Sequence, residues 1–257
     1  MNTISEKSAT LAAPGSQVRR VVFDIGQLIK ARLTLLVLVT TLVGFLLAWQ
    51  GEMDWLYLFH TLFGTGLAAA GIVYLSLATN LIAGILTAIT VGSYLFAYTP
   101  LKRVTTLNTV VGAIPGALPP VIGWTAARGE ASFESWVLFA ILFLWQMPHF
   151  LAIAWLYRED YKQAGFVMLC GDDPDCVVTG RQALLYTMGL VTVSLFPITL
   201  RITSVWFLPF ALLTGTYLFL AALRFARSGS EAAARGLFVA SIVYLPVTLG
   251  ALVVTRF

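Results

Sequence analysis

Seven long stretches of this sequence contain no charged residue, and this spacing of charge limits the fold more than any other feature. Only 11% of the 257 residues are charged, against about 25% in an average soluble domain. Charge-free apolar stretches of about 18 residues or more are typical of transmembrane helices. We therefore expect an all-α fold, a polytopic transmembrane helical bundle, and exclude a disordered chain or a soluble globular enzyme. The stretches are 33–51, 55–101, 104–127, 135–157, 182–200, 202–223 and 236–255.

The stretch from Leu56 to Leu101 is long enough for two crossings. Its 46 residues would extend roughly 69 Å as a helix at about 1.5 Å per residue, and a bilayer core is about 30 Å thick. Asn80 lies near its middle, so we place the division at Thr79–Asn80. This brings the expected number of spans to eight. The others are about 33–49, 107–124, 137–156, 184–200, 205–223 and 237–254.

The distribution of basic residues tests this count. The N-terminal tail is basic, whereas the loop after the first span carries Glu52 and Asp54, so the tail is expected on the cytoplasmic side. Eight crossings would then place every later basic loop (102–103, 158–181 and 224–235) on the other side. The conflict disappears if one crossing is added or removed between Leu56 and Leu101, for example if the segment near 56–78 does not fully cross. We therefore expect seven or eight spans.

Two further features concern organisation. Residues 1–26 read as a polar N-terminal tail, and 27–257 as a single transmembrane domain. The net charge of +4 comes from the tail and the loops, where basic residues orient a membrane protein, so we expect no nucleic-acid partner. Cys170 and Cys176 share one loop, which disfavours a structural zinc site, and a disulfide between them requires an oxidising compartment.

One candidate binding site lies where the second long stretch ends, at Tyr98, Lys102 and Arg103. An Arg fork and a Lys point charge together suit the oxygens of a diphosphate. The alternative is that the basic pair only anchors the helix at the membrane interface.

A second candidate site follows at residues 157–162. Glu159 and Asp160 are hard oxygen ligands that suit Mg²⁺, which binds through one or two carboxylates plus substrate phosphates. Tyr157, Arg158 and Lys162 flank these carboxylates. A solvated charged loop explains the same residues, and Asp172, Asp173 and Asp175 fit a turn around Pro174 at least as well as a metal site.

A third candidate lies inside an apolar span, where Gln146 and His149 flank Met147 and Pro148. Polar residues at membrane depth are costly and suggest function, and a neutral imidazole is a common ligand of metals and haem iron. The alternative is a packed, hydrogen-bonded histidine. Because the carboxylates and basic residues are in loops and not in spans, an enzyme at the interface is favoured over an ion-coupled transporter.

At these residues the chain resembles the protoheme IX farnesyltransferases (haem O synthases), a branch of the UbiA-like intramembrane prenyltransferases. The stretch 98–124 reads YTPLKRVTTLNTVVGAIPGALPPVIGW, and 142–165 reads LFLWQMPHFLAIAWLYREDYKQAG. Both motifs are specific to the haem branch. Further similar stretches are 30–48, 60–71, 179–187 and 224–246.

The resemblance implies nine spans around a central cavity and transfer of a farnesyl group from farnesyl diphosphate to a vinyl group of haem B, giving haem O. It also implies Mg²⁺ as the cofactor and a multi-pass protein of the bacterial inner membrane. The diphosphate-binding residues would be Lys102, Arg103, Arg158 and Lys162, with Asp160 and Glu159 on the metal. Asp160, Tyr157 and Tyr98 would be catalytic, and His149 and Gln146 would bind haem. Beyond the lipid bilayer, the resemblance leaves a homo-oligomer or terminal-oxidase assembly partners open.

One departure from the family pattern concerns its first acidic motif, of the form N-x-x-x-E-R-D-x-D-x-x-M-x-R-T. Here Gly71 runs directly into Ile72 and on to Asn80, a stretch similar to the end of the family's third span. The acidic loop and about one span are therefore missing, in agreement with the charge count. The alternatives to an active enzyme are a catalytically impaired homologue that binds haem or partners, and a lipid or cofactor transporter.

Overall fold

The computed structural model describes residues 31–48, 54–66 and 68–257, and the predicted tail 1–26 lies outside them. Residues from Val37 to Phe257 form one compact unit. The described residues are helical and contain no β-strand, so the all-α prediction is confirmed. The helices are α1 (Ala31–Ala48), α2 (Trp55–Gly66), α3 (Ala68–Ala78), α4 (Leu81–Leu101), α5 (Asn108–Ala117), α6 (Pro119–Arg128), α7 (Phe133–Leu156), α8 (Arg158–Gln163), α9 (Val177–Val193), α10 (Phe196–Thr199), α11 (Leu208–Ser228) and α12 (Glu231–Val254).

Among the described residues, six helical stretches are long and apolar enough to cross a membrane. They are α4, α5 with α6, α7, α9 with α10, α11 with its preceding turn, and α12. The chain is therefore a multi-pass membrane protein. A shorter apolar helix, Leu38–Ala48 within α1, precedes them.

The division predicted at Thr79–Asn80 is confirmed by the cap of α4. Asn80 has extended backbone angles, and its side-chain Oδ1 accepts a hydrogen bond from the Ala83 N–H at 2.9 Å. This satisfies one of the N–H groups that a helix start leaves without an intrahelical partner. The span predicted at 107–124 is confirmed at Asn108–Arg128. It is divided into two helices at Leu118, because Pro119 and Pro120 start a new helix there.

The segment before Asn80 forms a short helical hairpin. At about 1.5 Å per residue, α2 and α3, of 12 and 11 residues, extend only roughly 18 and 16 Å, well short of a core about 30 Å thick. The two helices lie against each other, since His60 Nδ1 hydrogen-bonds the Tyr74 hydroxyl and the rings of Phe63 and Tyr74 lie 5.3 Å apart. The first half of the long apolar stretch thus contributes no crossing.

Both ends of this hairpin segment meet the same end of α6. Arg128 Nε donates to the Ala48 carbonyl at 2.6 Å, and Asn80 Nδ2 donates to the Thr125 carbonyl at 2.8 Å. The chain therefore leaves α1 and enters α4 at one face of the bundle, without a crossing in between. The region between α1 and α4 thus contains one crossing fewer than the eight-span count, as the charge distribution requires.

The hairpin is packed into the bundle. Leu58 and Leu75 belong to a buried cluster with Phe45 of α1, Leu86 of α4 and Val121 of α6. Below this cluster α1 and α6 approach closely, because a Cβ on Gly123 would lie 2.0 Å from the Thr41 carbonyl oxygen. Small residues at helix crossings are typical of membrane bundles, where backbone contact replaces the hydrophobic driving force.

Candidate functional site

The two basic loops predicted to form one site lie at the same end of the bundle, which we call the basic face (residues 102–107, 157–176 and 229–231). The Val167 N–H donates to the Lys102 carbonyl at 3.0 Å. Asn108 Nδ2 donates to the Val167 carbonyl at 2.6 Å and to the Thr105 carbonyl at 2.7 Å. Residue 167 is therefore bonded to both ends of the 102–108 loop, and the two candidate loops are held together.

Lys102 lies over aromatic rings at the end of α4. Its Nζ is 4.4 Å from the centroid of the Tyr98 ring and 5.9 Å from that of Tyr94. Tyr98 packs across α5 at Gly112, where a Cβ would lie 2.6 Å from the tyrosine ring. The ammonium group is thus placed by cation–π contacts at the mouth of the bundle, and Arg103 is exposed beside it.

Arg158 is the most constrained basic residue of the second loop. Its Nη1 donates to the Trp155 carbonyl at 2.9 Å, and its guanidinium lies 5.0 Å from the Trp155 ring centroid. Nη1 also lies 3.6 Å from the carboxylate of Glu231, with the side chains 33% and 56% exposed. A pair this exposed contributes at most about 1 kcal/mol, so Glu231 holds the guanidinium only weakly.

The predicted metal ligands Glu159 and Asp160 lie in the first turn of α8 and are exposed. Tyr157, 56% exposed, forms the break between α7 and α8. A cavity of about 180 Å³ opens beside α8 between Arg158, Lys162 and Val167. The structure thus brings Lys102, Arg158 and Lys162 to one face with both carboxylates.

Metal binding by the chain alone has little support in this arrangement. The part of the chain that the structure describes holds no cluster of three or more His, Cys, Asp or Glu residues suited to a metal ion. Glu159 and Asp160 still fit Mg²⁺ in one circumstance, because this ion binds through one or two carboxylates when substrate phosphates complete its coordination.

Asp173 is occupied by the fold. Its carboxylate is buried and accepts a hydrogen bond from the Thr179 N–H at 2.6 Å at the start of α9. Burial by itself raises the pKa of Asp173, but hydrogen bonds from Thr179, Val178 and Val177 outweigh it and lower the pKa below its ordinary value. The turn interpretation of this residue agrees with these contacts.

The two cysteines of the same loop are free and buried. Cys170 Sγ donates to the Ala154 carbonyl at 3.1 Å. Burial, with the neighbouring Asp173 carboxylate, raises the pKa of Cys176 to about 11. Both thiols are therefore protonated at neutral pH, and protonated thiols are poor nucleophiles and poor metal ligands.

Gln146 and His149 are both held by neighbouring helices. Gln146 Nε2 donates to the Ala113 carbonyl at 3.3 Å and to the Leu142 carbonyl at 3.2 Å. His149 Nδ1 lies 2.8 Å from Ser241 Oγ on α12. His149 precedes Tyr157 by eight residues, which places it about 12 Å further into the bundle along α7.

Three partners in these contacts were not among the predicted site residues. Asn108 and Ser241 are polar residues inside charge-free stretches, and the cost of polar groups at membrane depth was the signal that could have singled them out. Glu231 carries no such signal, because a carboxylate in the first turn of a helix is common.

A larger cavity, of about 400 Å³, lies at the opposite face of the bundle. It is lined by Trp124, Arg128, Glu130 and Arg201, among others, and contains none of the predicted site residues. This cavity and the candidate site for diphosphate and metal therefore lie at opposite ends of the bundle.

Comparisons with known proteins point to one enzyme family. The model of the UbiA prenyltransferase family matches residues 62–244. The protoheme IX farnesyltransferase of Koribacter versatilis is 34% identical over 309 positions, covering 98% of this chain and 99% of that relative. That of Solibacter usitatus is 49% identical over 194 residues, or 76% of this chain. The human mitochondrial protoheme IX farnesyltransferase is 33% identical over 88% of this chain.

The chain is shorter than these relatives. It spans 66% of the Solibacter protein and 60% of the human protein. The 309 positions of the Koribacter alignment exceed the 257 residues of the chain, so gaps within the chain are required. This shortfall agrees with the expected absence of an internal segment.

A solved structure shows the same fold. The chain superimposes on digeranylgeranylglyceryl phosphate synthase with a TM-score of 0.75, at 16% identity, covering 90% of this chain and 96% of that structure. At this level of identity the likeness concerns the fold alone.

Proposed function

The chain belongs to the UbiA prenyltransferase family, and we propose that it transfers the farnesyl group of farnesyl diphosphate to a vinyl group of haem B, giving haem O. The observation that carries this proposal is the joining of the Lys102 loop to the Arg158 loop through Val167. It collects basic groups for a diphosphate and carboxylates for its metal at one mouth of an apolar bundle.

The basic residues would bind the diphosphate and stabilise it as a leaving group. Lys102, Arg103 and Lys162 are at the basic face, and Arg158 joins them when the diphosphate displaces Glu231. Positive groups placed where negative charge develops lower the barrier to departure of the diphosphate. When Mg²⁺ is bound by Asp160 and Glu159 together with phosphate oxygens, it supplies further positive charge to the leaving group.

Aromatic rings would face the cation left behind. Tyr98 already contacts an ammonium group through its ring face, and the same face can stabilise an allylic carbocation. Tyr157 lies exposed at the same mouth. The apolar bundle below would exclude water from the cation until the new bond has formed.

Haem B would bind deeper, beside α7 and α12. His149 is the candidate ligand of its iron, and Gln146 lies one turn away on the same helix. An imidazole about 12 Å below Tyr157 along α7 places the acceptor between the membrane interior and the basic face, where the farnesyl chain enters.

A second candidate function is haem binding without turnover. It is favoured by the carboxylate set, because the described residues hold no group of three or more His, Cys, Asp or Glu residues that could bind a metal, and the first acidic motif of the family is missing. A transporter has less support, since the charged groups are at one face and not along a path.

The proposed cellular setting follows the bacterial relatives. We place the protein in the bacterial inner membrane with its basic face towards the cytoplasm, in line with the positive-inside bias. A homo-oligomer in which a second copy supplies carboxylates, and contacts with terminal-oxidase assembly proteins, remain hypotheses.

The test is an assay on purified protein with farnesyl diphosphate, haem B and Mg²⁺, with haem O detected by chromatography. The proposal expects haem O from the wild type and little from Asp160→Asn. Haem retained through purification, with no haem O at any Mg²⁺ concentration, would contradict the transferase proposal and support the second candidate.

A further inference from the structure

The imidazole of His149 is held on three sides. Its ring lies between the indole of Trp145, at 5.0 Å and 21°, and the ring of Phe238, at 5.1 Å and 27°. Its Nδ1 edge faces Ser241 Oγ at 2.8 Å. No partner of Nε2 is present among the described residues, and the side chain is half-buried. The Nε2 edge is therefore the one from which a ligand can approach.

The hydrogen bonds of Ser241 assign the tautomer of this imidazole. Ser241 Oγ donates its single proton to the Phe238 carbonyl at 2.6 Å, and a carbonyl oxygen can only accept. The hydroxyl has no second proton for His149, so Nδ1 must carry the proton and donate to Ser241 Oγ. A neutral imidazole protonated at Nδ1 presents a lone pair at Nε2.

Ser241 is itself anchored to the helix that carries His149. Its backbone carbonyl accepts a hydrogen bond from Trp145 Nε1 at 2.7 Å. Trp145 and His149 are four residues apart on α7 and therefore share a face, so Ser241 engages this face at two points. Trp145 and Phe238 hold the ring plane, whereas the tautomer, and with it the lone pair at Nε2, depends on this serine.

We propose that Ser241 is a positioning residue that fixes His149 in the Nδ1-protonated tautomer, so that Nε2 ligates the iron of haem B. A histidine that binds a metal commonly donates its other N–H to a protein oxygen, which orients the ring and raises the basicity of the ligating nitrogen. The proposal rests on the proposed function, since haem B is taken as the ligand.

The test measures haem binding and the iron–histidine bond without farnesyl diphosphate. Full-length protein in detergent is titrated with haem B, and the iron–histidine stretching frequency is recorded by resonance Raman spectroscopy on the ferrous complex. For Ser241→Ala we expect affinity lower by about 10- to 100-fold, the range typical for outer-shell partners of a metal ligand. The stretching frequency should fall, because an Nδ1–H without an acceptor leaves a less basic ligand.

Two variants separate positioning from general destabilisation. Ser241→Thr keeps the hydroxyl and should restore both affinity and frequency. Ser194→Ala is the matched control, because Ser194 Oγ makes a buried 2.6 Å hydrogen bond to the hydroxyl of Tyr244 on the same helix α12. It removes a buried hydroxyl without touching His149, so it should change thermal stability while the haem spectrum stays constant.

The possible failures are distinguishable. If His149→Ala abolishes binding but Ser241→Ala changes neither affinity nor frequency, the positioning role is wrong and the proposed function stands. If His149→Ala binds haem as the wild type does, the iron ligand lies elsewhere and the inference is overturned. Ligation with the expected Ser241 effects, but no haem O formed with farnesyl diphosphate, supports the inference and contradicts the transferase proposal.

Discussion

Replacing Asn108 with Leu should weaken the connection between the two loops of the basic face. The side-chain amide of Asn108 is buried, and it bonds to the carbonyls of Thr105 and Val167. Leucine fills a similar volume but donates to neither carbonyl. The Thr105 bond is internal to one loop, whereas the Val167 bond joins the two loops, so only the latter directly affects their alignment.

The magnitude follows from this division. Losing the donor of a buried hydrogen bond costs about 1–3 kcal/mol per unsatisfied acceptor, so the variant should lose about 2–4 kcal/mol of stability in total. The hydrogen bond to Val167 accounts for about 1–2 kcal/mol of this loss, and it is the bond that holds Lys102 in position relative to Arg158. At 1.4 kcal/mol per tenfold, we expect about 5- to 30-fold weaker diphosphate binding.

The assay is binding of farnesyl thiodiphosphate, a non-reactive analogue, followed by tryptophan fluorescence alongside thermal unfolding in detergent. Asn80→Leu is the matched control, because Asn80 Nδ2 makes a comparable 2.8 Å bond to the Thr125 carbonyl at the opposite face. It should lower stability and leave analogue affinity unchanged. If both variants bind the analogue as tightly as the wild type does, the bond from Asn108 to Val167 does not align the two loops. If both variants lose affinity to the same extent, general destabilisation is sufficient to explain the loss.

Three further outcomes are expected. Asp160→Asn should reduce Mg²⁺-dependent haem O formation far more than Asp173→Asn, and equal effects would remove Asp160 from the metal role. The carboxylate of Asp173 has a pKa lowered from 3.8, so its stabilising contribution is present above about that pH and is lost as the pH falls through the lower, folded-state value. The difference in unfolding temperature between the wild type and Asp173→Asn should therefore be full at pH 7 and shrink below pH 3.8; a difference that is constant down to pH 2 would contradict this. In intact cells, an impermeant thiol reagent should label Glu130→Cys and leave Gln163→Cys and Ser228→Cys unlabelled, and the reverse pattern would invert the orientation proposed for the basic face.

The length and apolar character of the spans could be predicted from the sequence because they are local properties. A charge-free stretch of sufficient length has few alternatives to a helix in a bilayer, where backbone groups must bond within the segment. The start of α4 after Asn80 was predictable for a similar reason, since a lone Asn in an apolar stretch is a preferred cap. The charge of the loops also indicated that one crossing was missing between Leu56 and Leu101.

The form of that region was decided only by tertiary packing. A span too short to cross and a missing span satisfy the charge count equally. Contacts of the hairpin with Phe45 and Val121, and the bonds that bring Ala48 and Asn80 to the same end of α6, select the short packed hairpin. These contacts join residues far apart in the chain, so no local pattern encodes them.

The candidate site shows the same division. Residue types suited to diphosphate, Mg²⁺ and haem are visible in the sequence, because side-chain chemistry is a property of each residue. Their partners are not: Val167 lies 59 residues from Asn108, and Ser241 lies 92 residues from His149. A tautomer or a loop alignment depends on which helices become neighbours, and that is determined by the packing of the whole bundle.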